Sequence, residues 1–145
     1  RRIRRPVGRT EVPLQSFFAR VADTAAVQVV ARAQRDHVAQ AMRGTRHEGL
    51  PVLSAAAPFR AGGRGGPGFY TDIPAGELAL RHLSELYPFP NLIRALRLTG
   101  AGVAEWLERS ASAFRRIEPG RPDQPLVDEG FPSYDVDSIL GVTYR

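Results

Sequence analysis

The stretch from Leu53 to Gly68 reads Leu-Ser-Ala-Ala-Ala-Pro-Phe-Arg-Ala-Gly-Gly-Arg-Gly-Gly-Pro-Gly and constrains the chain more than any other part of it. Its five glycines and two prolines exclude a regular helix or central strand, since glycine loses the most backbone entropy on ordering and proline donates no hydrogen bond. Separate elements must therefore form on either side. Gly62, Gly63, Gly65 and Gly66 free the backbone for positive φ and close approach, and Arg60 and Arg64 offer planar forks matched to phosphate or carboxylate. Two readings fit this composition: a loop that holds an anionic ligand, and a surface linker.

Upstream, Val27, Val30, Ala31, Val38 and Ala41 fall near one face of a helix from about Thr24 to Arg43, capped by Asp23 or Thr24 and ended by Gly44. The prolines of residues 1–22 predict an extended linker and lead-in, anchored to the core by Phe17 and Phe18, before a folded domain over 23–145. Leu50 to Ala57 suits a buried strand. Glu77 to Leu86 is expected as a short helix with Leu78, Leu83 and Leu86 inward. Pro88 and Pro90 hold Phe89 on a stiff, irregular segment, where a core role and a ligand role are both open. Leu92 to Leu98 is strand-like.

Thr99 then caps the most periodic stretch, in which Val103, Trp106, Leu107, Ser110, Ala111 and Phe114 share one helical face, placing Trp106 in the core. Pro119 to Pro132 reads as a loop, and Tyr134 to Tyr144 as a strand or hairpin arm. This order of elements predicts an α+β domain, a mixed sheet with packed helices.

The 145 residues suffice for one domain, and the chain carries a net charge of +5 with arginine as its only strongly basic residue. Four of the first five residues are arginine, so the excess is concentrated in a tail that reads either as solvated linker or as a nucleic-acid arm. With no cysteine, disulfides and thiolate chemistry are excluded. His37, His47 and His82 have no metal-ligand spacing, no Gly-x-Ser-x-Gly elbow occurs, and the glycine loop lacks both the phosphate-loop and dinucleotide-binding patterns. A binding site without a reaction centre of its own is what remains, and no catalytic residue, metal site or cofactor is expected in this chain.

Several separated blocks carry a more specific signal: Val7-Gly8-Arg9-Thr10, Gln28-Val29-Val30 with Ala33-Gln34, Leu53 to Arg60 with Gly62-Gly63-Arg64, Leu86-Tyr87 with Pro90-Asn91, Glu105 to Ala111, and Gly141 to Tyr144. Together they resemble the C-terminal domain of the 5'-nucleotidase family, nearest to its bifunctional 2',3'-cyclic-nucleotide 2'-phosphodiesterase/3'-nucleotidase branch. The resemblance implies a periplasmic or secreted phosphohydrolase in which an N-terminal metallophosphoesterase domain, absent here, binds divalent metal ions and performs hydrolysis. The C-terminal domain grips the nucleotide or nucleoside.

By position, the resemblance assigns substrate binding to Arg60, Gly62, Gly63 and Arg64 at the ribose or phosphate end, without separating the two arginines, and to Phe89 as the aromatic stacked on the base. Ala31 and Arg32 stand where many relatives have Asn-Asn. The family's second stacking aromatic and its glycine-rich aspartate loop would come later than Arg145, so the expectation is the N-terminal part of the recognition domain with an incomplete core. The exposed half of that core is either filled by a second copy, as a homo-oligomer, or left unstable. No membrane partner is expected. The alternatives are a basic nucleic-acid-binding module and a structural fragment with no ligand.

Overall fold

One helix organises the molecule, in a computed structural model that describes residues 2–144. This helix, α1 (Ala25–Met42), has Ala26, Val27 and Ala31 buried on successive turns, so one narrow stripe faces inward. Ala26 packs with Leu14 and Ile73, while Val27 and Ala31 pack with Ala19 and Ala56. Alanine at most of these positions lets backbones approach closely and buries little area per residue. Thr24 occupies the N-cap position without a side-chain cap bond, and Asp23 instead accepts from Gln28 Nε2 at 2.8 Å and 2.7 Å.

The strands form three small antiparallel ladders, which give the expected α+β class in place of one mixed sheet. Strand β1 (Pro6–Thr10) pairs with β5 (Gly76–Ala79), β2 (Leu14–Gln15) with β4 (Asp72–Ile73), and β3 (Ser54–Ala56) with β6 (Ser138–Leu140). Residues near the N-terminus are thereby tied to the middle of the chain, and the start of the glycine-rich stretch to its far end. Helix α2 (Leu80–Leu86) follows β5 directly, and α3 (Gly100–Ala111) packs near β6.

Three expectations are corrected. Residues 76–79 form strand β5, because β1 offers a ladder there, and the helix begins only at Leu80. Leu78 and Leu86 pack inward as expected, but Leu83 is exposed. Phe17 and Phe18 are also exposed: the segment turns so that Ser16, Ala19 and Arg20 face inward, and Phe17 stacks at its surface on Tyr70, 5.3 Å between centroids. Finally, residues 92–98 form no strand. Their backbone has no ladder partner among the described residues, and Leu92 and Leu96 are 79% and 71% exposed.

Ile73, 1% exposed in β4, is the largest fully buried side chain among the described residues. Ile73→Ala is expected to lower unfolding free energy by about 2–5 kcal/mol, from lost transfer energy and an unfilled cavity, as read in urea denaturation. A loss below about 1 kcal/mol would mean that the β2–β4 junction is not part of the cooperative core.

Candidate functional site

The glycine-rich stretch is folded upon itself and is not an open linker. Buried Ser54, at the start of β3, donates to Gln34 Oε1 on α1 at 3.1 Å, which sets the direction in which the chain enters the loop. At Arg60 the backbone is seized by Ser16, whose hydroxyl donates to the Arg60 carbonyl and accepts the Thr71 N–H at 2.8 Å. Ala61 then bridges Tyr70, and the Gly62 N–H donates to the Phe69 carbonyl at 2.8 Å. The ends of the loop are thus closed like a hairpin.

Glycine is required inside this closure for two physical reasons. Gly62 and Gly63 adopt φ of +69° and +57°, a region costly for residues with a Cβ. At Gly65, where φ is ordinary, a Cβ would meet the Phe69 ring at 2.6 Å from Cγ, so the aromatic lies directly on bare backbone. The loop tip, Gly63–Gly65, is a single 3₁₀ turn that carries Arg64 into solvent.

Arg60 is partly buried, with its guanidinium 5.0 Å from the Phe69 ring centroid. Cation–π contact steadies the charge without neutralising it. Neither Arg60 nor Arg64 takes part in an ion pair among the described residues. Both keep charge available to an external anion.

Phe89 lies beside this loop through an aromatic chain. Phe59, next to Arg60 in sequence, meets Tyr87 edge-on at 4.9 Å and Phe89 edge-on at 5.4 Å. Phe89 itself is 54% exposed, and Asn91 N–H donates to its carbonyl at 2.9 Å. This exposure leaves ring surface on Phe89 free for a stacking partner.

Gly62, Gly63 and Arg64 line one cavity of about 280 Å³ together with Phe59, Phe69 and Arg20, facing residues 131–134. Neither Arg60 nor Phe89 lines this cavity: Arg60 packs over the Phe69 ring, and Phe89 is joined to the wall through Phe59. Sequence reasoning missed Ser16 and Arg20. The only signal for Arg20 is an arginine inside the otherwise apolar run Phe17-Phe18-Ala19-Arg20-Val21.

A second, larger groove of about 690 Å³ runs between α1, residues 50–55 and residues 92–98. At its floor Trp106 Nε1 donates to Asp137 Oδ2 at 2.7 Å, and the Asp137 N–H donates to Ser110 Oγ at 3.2 Å. The Thr99 cap predicted for this helix is formed, with its hydroxyl accepting the Gly102 N–H at 3.2 Å. Trp106 is half-buried and joins α3 to the segment before β6. Burial pushes the Asp137 carboxyl above its ordinary value; the Trp106 hydrogen bond works against that shift, and nearby Asp135 adds to it.

The described residues hold no cluster of three His, Asp or Glu side chains of the kind that coordinates a metal ion. No helix among them is long and apolar enough to cross a membrane.

The architecture is therefore an α+β domain presenting a cationic, backbone-exposing loop beside a half-exposed aromatic ring. Over residues 6–144 the sequence matches the family described as 5'-nucleotidase, C-terminal domain, and the chain belongs to that family. It is 46% identical over 144 residues to the trifunctional nucleotide phosphoesterase protein YfkN of Bacillus subtilis (strain 168), covering 99% of this chain and 10% of that protein. It is 38% identical to the 2',3'-cyclic-nucleotide 2'-phosphodiesterase/3'-nucleotidase of Haemophilus influenzae, with 99% of this chain and 22% of the relative aligned. The protein of that name from Salmonella typhimurium is 37% identical, with 99% and 23% covered. The chain thus spans less than a quarter of the length of each. No solved structure matches it.

The Asp137 environment makes a pH prediction. A carboxyl whose folded pKa is raised takes up a proton on folding, so stability falls as pH rises from the ordinary value of 3.8 through the raised one. Asp137→Asn keeps an acceptor for Trp106 and removes the titration. The variant is expected to match the parent near about pH 4 and to be at least as stable near about pH 7, in urea midpoints measured across that range. A variant clearly less stable near neutral pH would show that the charged carboxylate stabilises the fold.

Proposed function

We propose that this chain is the nucleotide-recognition part of a larger phosphohydrolase that acts on 2',3'-cyclic nucleotides and 3'-nucleotides. Phe89 stacks on the base, and the glycine loop with Arg60 and Arg64 takes the ribose and phosphate end. The observation that carries this reading is the half-exposed Phe89, steadied by Phe59 one residue away from Arg60. It links an exposed aromatic ring, through Phe59, to the segment that carries Arg60. Family membership and the names of the relatives support the same reading.

Each part has a definite physical role. Base stacking is tolerant of base identity, because every base presents a π-face, and it suits a domain that must accept several nucleotides. Pro88 and Pro90 fix the backbone around Phe89, so little entropy is lost when a base docks. Guanidinium groups pair with phosphate through parallel N–H bonds, and bare glycine backbone allows a sugar or phosphate to approach closely. Hydrolysis belongs, in this proposal, to a separate metal-binding domain of a periplasmic or secreted parent protein. Among the described residues no group of three His, Asp or Glu side chains is placed to hold a metal ion.

Calorimetric titration with adenosine 3'-monophosphate and adenosine tests the assignment. Phe89→Ala is expected to weaken both ligands by about tenfold, the scale of one lost stacking contact. Arg60→Ala and Arg64→Ala are expected to weaken the nucleotide more than the nucleoside. Equal weakening of unrelated ligands, or affinity for oligonucleotides without affinity for the mononucleotide, would contradict it.

A further inference from the structure

Arg20 is 7% exposed, and three groups from a distant part of the chain converge on its guanidinium. Nη1 donates to Glu129 Oε2 at 2.9 Å, and Nη2 donates to the carbonyls of Asp128 and, at 3.5 Å, Phe131. Residues 128–131 form a tight turn: Asp128 Oδ1 accepts from the Gly130 N–H at 2.9 Å, and the Asp128 carbonyl accepts from the Phe131 N–H at 3.1 Å. A guanidinium, with planar donors pointing in several directions, can serve a carboxylate and two carbonyls at once.

The other side of the same guanidinium touches the glycine loop. A Cβ placed on Gly63 would lie 2.9 Å from Arg20 Nη1 and 3.3 Å from Glu129 Oε2. Gly63 therefore lies flat on the Arg20–Glu129 pair. Both walls of the 280 Å³ cavity rest on this one side chain, with Gly62, Gly63 and Arg64 on one side and residues 131–134 on the other. Burying a cation is unfavourable unless it is paired and bonded: Nη1 and Nη2 are bonded here, Nε is buried without a partner among the described residues, and losing the Nη bonds as well would cost more, so the arrangement resists partial opening.

We propose that Arg20 is a positioning residue that clasps the glycine loop to the 128–131 turn and sets the width of the cavity between them. It lines the cavity and acts through the loop that it holds. Its effect on ligand affinity rests on the recognition function proposed above. Its effect on the loop does not.

The test compares the 145-residue chain with its Arg20→Leu, Arg20→Lys and Glu129→Gln variants. Amide hydrogen exchange is followed at Gly62 and Gly66, which donate to the Phe69 and Gly63 carbonyls, and along α1 as an internal reference. For Arg20→Leu, exchange at Gly62 and Gly66 is expected to quicken by about tenfold or more while α1 stays within about twofold, and adenosine 3'-monophosphate affinity falls by a comparable factor. Arg20→Lys, which keeps the charge and loses the fork, is expected to restore part of both. Glu129→Gln alters an exposed partner and is expected to shift both in the same direction by less.

Loop exchange unchanged in Arg20→Leu would overturn the proposal. Should α1 also lose protection in that variant, Arg20→Lys and Glu129→Gln decide: loop-selective quickening supports the clasp, and its absence overturns it. If the parent chain binds no nucleotide, the recognition function fails while the exchange measurement still decides the role of Arg20.

Discussion

The buried hydroxyl of Ser16 joins segments that lie far apart in the sequence. It accepts the N–H of Thr71 and donates to the carbonyl of Arg60, while the Ser16 N–H donates to the Thr71 carbonyl at 3.1 Å. The first strands, the start of the glycine loop and its return are pinned at one point. Ser16 is 2% exposed, so none of these bonds is readily replaced by water, and removing the hydroxyl would leave a buried donor and acceptor unmet. The alanine-rich contact of α1 supplies less apolar burial than larger residues would. Polar bonds at Ser16, Ser54 and Arg20 carry much of the specificity that fixes the loop.

That division explains what was legible in the sequence. Helix α1 and helix α3 have a 3.6-residue apolar period, and Thr99 is followed by a run that needs a cap, so both helices and the Thr99 cap were readable. Strand β3 was readable as an apolar run before proline and glycine. The β1–β5 ladder was not, because its pairing joins residues nearly seventy apart and β5 has ordinary helix-forming side chains. The strand expected over 92–98 failed for the opposite reason: its propensity is right, but a strand needs a ladder partner and the described residues offer none.

The candidate site divides in the same way. Glycines and arginines announce themselves by composition, and Phe89 by its proline flanks. Their assignment to a nucleotide came from likeness to a family, which the match over residues 6–144 shows. The supports were hidden. Ser16 and Arg20 stand in a segment whose loudest residues are Phe17 and Phe18, and only the folded turn shows that the polar pair faces inward while the aromatics face out. In the proposed function, arginine charge, bare backbone and a half-exposed ring act on a nucleotide by separate physical means.

The central claim is that the glycine loop and Phe89 act together on one ligand. The most direct measurement is to add adenosine 3'-monophosphate to isotopically labelled protein and follow amide chemical shifts residue by residue. Saturable shifts at Gly62 to Gly66 and at Phe89 and Asn91, with one common dissociation constant, are predicted. Shifts confined to the groove around Trp106, or different constants for the loop and for Phe89, would contradict the account.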